Sequence, residues 1–182
     1  MGMAERQNLI LEIPFTEEMV KSAKRKAKAL GRIRNSILKG KGNFAGYLGE
    51  EAVAAYIDAE IISNKNGEDK YNHDLIKGNR RIEIKTKRRT VPPKLFYDVS
   101  VAKTSAHQQP DLYIFTSIQF SGTTPEKIWI LGQKDRDDYF STAKLWRRGD
   151  VDASNNFVTH QDMYNLQIKE LDILDDSLLP QQ

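Results

Sequence analysis

Two acids and a lysine stand where one turn of the chain would bring them together. Asn72-His73-Asp74-Leu75-Ile76-Lys77 is followed by Gly78-Asn79, then by Arg80-Arg81-Ile82-Glu83-Ile84-Lys85-Thr86-Lys87. Gly-Asn between two strand-like runs signals a two-residue hairpin turn. Folding there sets Lys77 opposite Arg80, Leu75 opposite Ile82, and Asp74 opposite Glu83. Side chains directly opposite on antiparallel strands have Cβ atoms roughly 5 Å apart, close enough for like charges to destabilise the pair. A fold that keeps two carboxylates there has a use for a divalent cation between them. Strand alternation puts Lys85 on the face of Glu83, with Ile82 and Ile84 on the other. Two acids and a lysine on one face suit metal-assisted hydrolysis of a phosphodiester. The competing reading is an exposed sheet face of alternating charge, on which Lys85 merely neutralises Glu83.

The flanking chain must position this hairpin. Leu9 to Ile13 reads as a short extended lead-in. Thr16 is a candidate N-cap, with Glu17 and Glu18 in the first turn, where the helix dipole favours acids. Met19, Ala23, Ala27 and Leu30 then give one apolar stripe on a helix expected to reach about Leu38. Gly40-Lys41-Gly42 is expected to break it, and Asn43 to cap a second helix from Phe44 to about Ala59. Glu50 and Glu51 lie on that helix. Strand-like pieces follow at Ile61 to Asn64, with a turn signal at Asn66-Gly67, and from Phe96 to Val101. Ala102 to Gln109 reads as a loop or one helical turn. Leu112 to Ile118 reads as a buried strand, turned at Ser121-Gly122-Thr123-Thr124 into Lys127 to Leu131. Asp135 to Arg148 is irregular or helical, and Tyr164 to Leu171 strand-like. Helices before a mostly antiparallel sheet, with later helical cover, predict an α/β or α+β sandwich. Residues 1–42 are expected to form an N-terminal strand and basic helix, and 43–182 the core.

Gly46-x-x-x-Glu50, then Asp74, then Glu83-Ile84-Lys85 resembles the PD-(D/E)xK nuclease superfamily over about Gly46 to Phe115. One departure is His73, where the family places proline. The resemblance implies a restriction-endonuclease-like fold, a central mixed β-sheet flanked by helices, and a Mg²⁺-dependent DNA endonuclease in which Mn²⁺ can substitute. Carried over by position, it makes Glu50, Asp74, Glu83 and Lys85 catalytic, with Asp74, Glu83, Glu50 and the carbonyl of Ile84 around the metal. Glu50 is favoured over Glu51 because it shares a side with Gly46, Val53, Ala54 and Ile57. Lys85 would stabilise the attacking hydroxide and the charge gathering on the phosphate. Lys87, Arg88 and Arg89 extend the same strand and would meet flanking phosphates in a salt-sensitive, largely sequence-independent way. Gln108 or Gln109 matches a glutamine that some members place near the site. Small nucleases of this kind pair to cut two strands, so a homodimer is implied, as is action inside a cell, a phage-encoded enzyme in its host included. A nucleic-acid-binding or assembly protein that kept the fold without the chemistry is the alternative.

Bulk properties narrow the field less. The 182 residues are 39% hydrophobic and 29% charged, enough for one real core. The net charge is only +3, but Lys21, Lys24, Arg25, Lys26, Lys28, Arg32, Arg34, Lys39 and Lys41 occur with no acid between them. Such a run is either a solvated helix face or a contact for DNA or a second copy. The absence of cysteine excludes disulfides, thiolate zinc sites and a cysteine nucleophile. No run approaches the ~20 apolar residues of a membrane helix, and no signal peptide is visible, so an intracellular protein with no membrane partner is expected. His73, His107 and His160 lack metal-ligand spacing and read as surface or turn residues. Trp129 and Trp146 read as packing residues, and Asp135, Asp137 and Asp138 as a loop and helix start.

Overall fold

The chain enters a sheet at β1 (Leu11–Ile13), then forms two helices, α1 (Glu17–Leu30) and α2 (Lys41–Ile57). The computed structural model describes residues 2, 10–30, 41–62, 73–153 and 156–179, with backbone only for Lys41 and Gly42. The expected helix end near Leu38, the turn at Asn66-Gly67 and most of the strand begun at Ile61 lie outside the described residues. Thr16 caps α1 as its type predicts, its Oγ1 accepting from the Met19 N–H at 3.2 Å. The expected break at Gly40-Lys41-Gly42 is different in fact: α2 already begins at Lys41, and Asn43 lies inside it. Glycine is cheap in a first turn, where the N–H groups have no intrahelical partner anyway. At its other end α2 closes on Asp58 at a φ of +52°. There the Lys77 ammonium donates to the carbonyls of Ile57 and Asp58, a cation against the negative helix terminus.

Strands β2 (Glu60–Ile61), β3 (Leu75–Lys77), β4 (Arg80–Arg89), β6 (Leu112–Ser121) and β7 (Thr124–Asp135) join β1 in a six-stranded mixed sheet, with β5 (Asp98–Ala102) lying elsewhere. The order is β1-β7-β6-β4-β3-β2, and β4 with β6 is its parallel pair. Both hairpins turn where glycine takes a positive φ, +60° at Gly78 and +58° at Gly122. The first has the expected register, Lys77 against Arg80 and Leu75 against Ile82. Helix α3 (Arg136–Thr142) follows β7 and carries Asp137 and Asp138 in its first turn. A second, three-stranded sheet orders β5-β11-β8, from β8 (Lys144–Trp146) and β11 (Met163–Gln167), and β9 (Val151–Asp152) pairs with β10 (Phe157–Val158).

The six-stranded sheet is covered on both faces. Ile82, Ile84, Leu112, Ile114, Ile118, Ile128 and Ile130 share one core with Leu48, Ala52, Val53 and Ile57 of α2. Tyr113, Phe115, Trp129 and Leu131 share the other with Val99, Val101, Tyr139 and Leu166. This explains why Leu112 to Ile118 is buried without interruption. The expected later helical cover is therefore only partly helical: most of the second face is closed by the β5-β11-β8 sheet, with α3 beside it. The fold is mixed α+β, and among the described residues no helix is long and apolar enough to cross a membrane.

Candidate active site

Strand β3 begins at Leu75, and at Asp74, the residue before it, a side chain takes over part of the ladder. The Asp74 N–H donates to the Ile82 carbonyl at 2.9 Å. One step further, the Ile84 N–H donates to Asp74 Oδ2 at 2.8 Å. A backbone N–H of β4 that would meet a carbonyl in a continuing ladder meets a carboxylate instead. Because that N–H lies in the plane of the sheet, the carboxylate oxygen it meets lies near the sheet's own level. This refines the expectation of three side chains on one face. Glu83 and Lys85 do share a face, and Lys85 Nζ donates to Glu83 Oε1 at 2.6 Å. Glu83 is only 5% exposed.

Gln108 joins them, its Oε1 accepting from Lys85 Nζ at 3.3 Å. Arg136 holds the loop that carries Gln108, donating from Nε to the Gln108 carbonyl at 2.8 Å and from its terminal nitrogen to the Ala106 carbonyl at 2.9 Å. Nothing in the spacing of Arg136 pointed to this role.

The helix acid comes from α2, and its two candidates separate. Glu51 turns toward α1, where Oε1 accepts from Ser22 Oγ at 2.7 Å and pairs with Lys26 Nζ at 2.7 Å. Glu50 turns toward the hairpin. Its carboxyl is raised from 4.5 to about 7, by burial first and then by the charge of Glu83, against the pull of Lys26 and Lys85. Asp74 is raised well above the usual carboxylate range, by burial first and then by Glu50 and Glu83, against the pull of the Ile84 N–H and Lys85. Tyr47, one helical turn before Glu50, feels the same acids: burial and then the charges of Glu50 and Asp74 raise its phenol. Sequence reasoning did not place Tyr47 or Lys26 at this site.

Glu50 is held in place by its neighbour. At Gly49 the helix backbone lies directly on the sheet: an added Cβ would overlap Thr86 Oγ1 and lie 3.2 Å from Thr116 Oγ1 and Thr86 Cβ. Those two hydroxyls are bonded to each other at 2.7 Å across β4 and β6. Threonine is stiff at its only rotor, so the overlap cannot be relieved by a swing of the side chain tip. Gly46, the glycine singled out by the motif, has open space where its Cβ would sit. Replacing Gly49 by Ala is expected to cost roughly 1–3 kcal/mol in urea unfolding, as overpacking does, whereas Gly46→Ala should not destabilise.

The basic end of β4 does not form one stripe. Arg89 is inserted between the sheets, donating to Ser117 Oγ at 2.9 Å and to the Asp98 carbonyl at 3.0 Å, with its guanidinium 4.8 Å from the Tyr97 ring. Lys87 lies beside it, its ammonium lowered to about 8 by burial and by Arg89, against the pull of Asp98. Arg88 projects from the opposite face, bonded to the Gly122 carbonyl and 4.0 Å from the Phe120 ring. Of the histidines, His73 departs from expectation. It is 4% exposed, and neither ring nitrogen has a partner among the described residues.

Among the described residues, no three carboxylate or imidazole side chains stand close enough to enclose a metal ion as they are. No family model matches the chain, and no curated protein matches it.

Proposed function

We propose that this chain is a Mg²⁺-dependent DNA endonuclease of the PD-(D/E)xK kind, in which Mn²⁺ can replace Mg²⁺. The observation that carries the reading is the Asp74 carboxylate, bonded at the broken end of the β3–β4 ladder between Glu50 and Glu83, with Lys85 on Glu83. The donor set fits a hard divalent cation. It is all oxygen, and burial together with the neighbouring acids raises the Glu50 and Asp74 carboxyls, a penalty on their charged forms that a cation would relieve. Asp74, Glu83, Glu50 and the carbonyl of Ile84 would hold it, drawn closer than they now stand. When bound, the cation supplies Lewis-acid polarisation of the phosphate and a more acidic water.

The chain's own residues do the rest. Lys85, suspended between Glu83 and Gln108, brings a fixed positive charge to the place where phosphate charge develops. Gln108 orients it, and Arg136 orients Gln108. Glu50, with a carboxyl near 7, can hold or release a proton at working pH. Lys21, Arg25 and Lys28 recur at helical spacing and lie exposed on α1, which suits phosphate contacts of low sequence specificity. By the same resemblance a homodimer is proposed, with α1 as its contact, the DNA contact, or both.

One observation favours the second reading, a nucleic-acid-binding protein without chemistry: Lys85 and Glu83 already neutralise each other at 2.6 Å. Supercoiled plasmid, branched and single-stranded DNA with Mg²⁺, Mn²⁺ or EDTA separates the two. Nicking with either metal and none in EDTA is the expected result. Binding without cutting of every substrate with both metals selects the second reading.

A further inference from the structure

One strand away from Glu83 lies a phenol hydroxyl with no partner among the described residues. In the parallel β4–β6 pair Glu83 is in register with Tyr113, so their side chains leave the same face of the sheet as neighbours. Tyr113 is 0% exposed, and its ring packs among Phe115, Tyr139 and Phe140 at centroid distances of 6.0, 5.6 and 6.1 Å. Tyr139 in the same cluster gives its hydroxyl to the Tyr164 carbonyl at 2.6 Å. Among the described residues the buried Tyr113 hydroxyl has no hydrogen-bond partner. An unsatisfied buried hydroxyl is unfavourable, and phenylalanine would fill the same volume without it. The tyrosine is thus a worse residue than phenylalanine for packing alone.

Lys85 is the donor that the structure gives Glu83, and it has a second acceptor in Gln108. Turning the ammonium toward a phosphate would leave a nearly buried carboxylate short of a donor. Tyr113 is the neighbouring donor on that face. We infer that Tyr113 is a positioning residue for Glu83, its hydroxyl holding the carboxylate in place once Lys85 turns to the substrate. The inference rests on the function proposed above. Burial, and then the nearby Glu83 charge, raise the phenol to about 12.

The test compares the full-length wild type with Tyr113→Phe by metal-free melting and by Mn²⁺ titration calorimetry. Without metal the variant should melt at the same temperature or up to about 4 °C higher, because an unsatisfied group has been removed. Its Mn²⁺ dissociation constant should weaken roughly tenfold, as when a group that orients a metal ligand is lost. Unchanged Mn²⁺ affinity overturns the inference, as does a fall in melting temperature, which would mean that the hydroxyl already serves the fold. A wild type that binds no Mn²⁺ overturns the proposed function together with this inference, whereas a binding wild type with an indifferent variant overturns this one alone.

Discussion

Lys85→Ala is expected to slow phosphodiester cleavage by about 10²–10³-fold while changing DNA affinity less than about threefold. The expectation follows from where the ammonium points. It lies within hydrogen-bond reach of Glu83 and Gln108, inside the acidic pocket, and not out along the surface where it would grip a flanking phosphate. A charge so placed acts on the reacting phosphate and contributes little to the rest of the duplex. The same variant leaves Glu83 buried without its partner, which costs a few kcal/mol in the metal-free protein. Melting with and without Mg²⁺ must therefore accompany the assay, and the metal is expected to recover most of the loss. If cutting and binding fall together, Lys85 is a phosphate anchor and the catalytic assignment fails.

The second large effect is on stability against pH. In the folded protein the Glu50 carboxyl is raised from 4.5 to about 7, so the fold holds that proton more tightly than the unfolded chain does. The stabilisation is fully present below about pH 4.5 and is lost as pH rises through about 7. The metal-free protein should thus lose about 3 kcal/mol between pH 4.5 and pH 8 from this group alone. Asp74 is raised too and acts in the same direction. Lys87 acts in the opposite direction, but its lowered ammonium titrates near 8, at the upper edge of this window. Urea unfolding across pH 4.5–8 should show the decline in wild type and a much flatter profile in Glu50→Gln. Mg²⁺ competes with those protons, so its stabilising effect should grow as pH rises. A metal-free profile that is flat, or that climbs with pH, contradicts the placement of Glu50 among the acids.

Much of the site was legible because it is local. Gly78-Asn79 announces the turn, and once the turn is placed, strand alternation puts Leu75 on Ile82 and leaves Glu83 and Lys85 on one face. The Gly122 hairpin was readable for the same reason. The choice of Glu50 over Glu51 rested on the apolar neighbours on one side of the helix, and the structure places Glu51 on Ser22 and Lys26 of a different helix.

What escaped depends on contacts between distant segments. Nothing in the spelling of two glycines three residues apart says that Gly49 meets Thr86 and Gly46 meets nothing. That distinction is made by the parallel pairing of β4 with β6, which sets Thr116 beside Thr86. The strand pieces at Phe96 to Val101 and Tyr164 to Leu171 were readable, but their pairing with each other and with the three-residue β8 into a second sheet was not, because that sheet joins distant segments. Once it covers the far face, the basic end of β4 is divided: alternation sends Lys87 and Arg89 between the sheets and Arg88 to the other side. A run of like charges in the sequence thus becomes two separate environments in the fold.

The most direct test is an anomalous difference map from crystals soaked in Mn²⁺ at pH 8, above the value of about 7 to which the Glu50 carboxyl is raised. A single strong peak between the carboxylates of Asp74 and Glu83, absent from Asp74→Asn crystals soaked in the same way, is the expected result. A well-ordered pocket with no peak, and with Lys85 still on Glu83, would contradict the account.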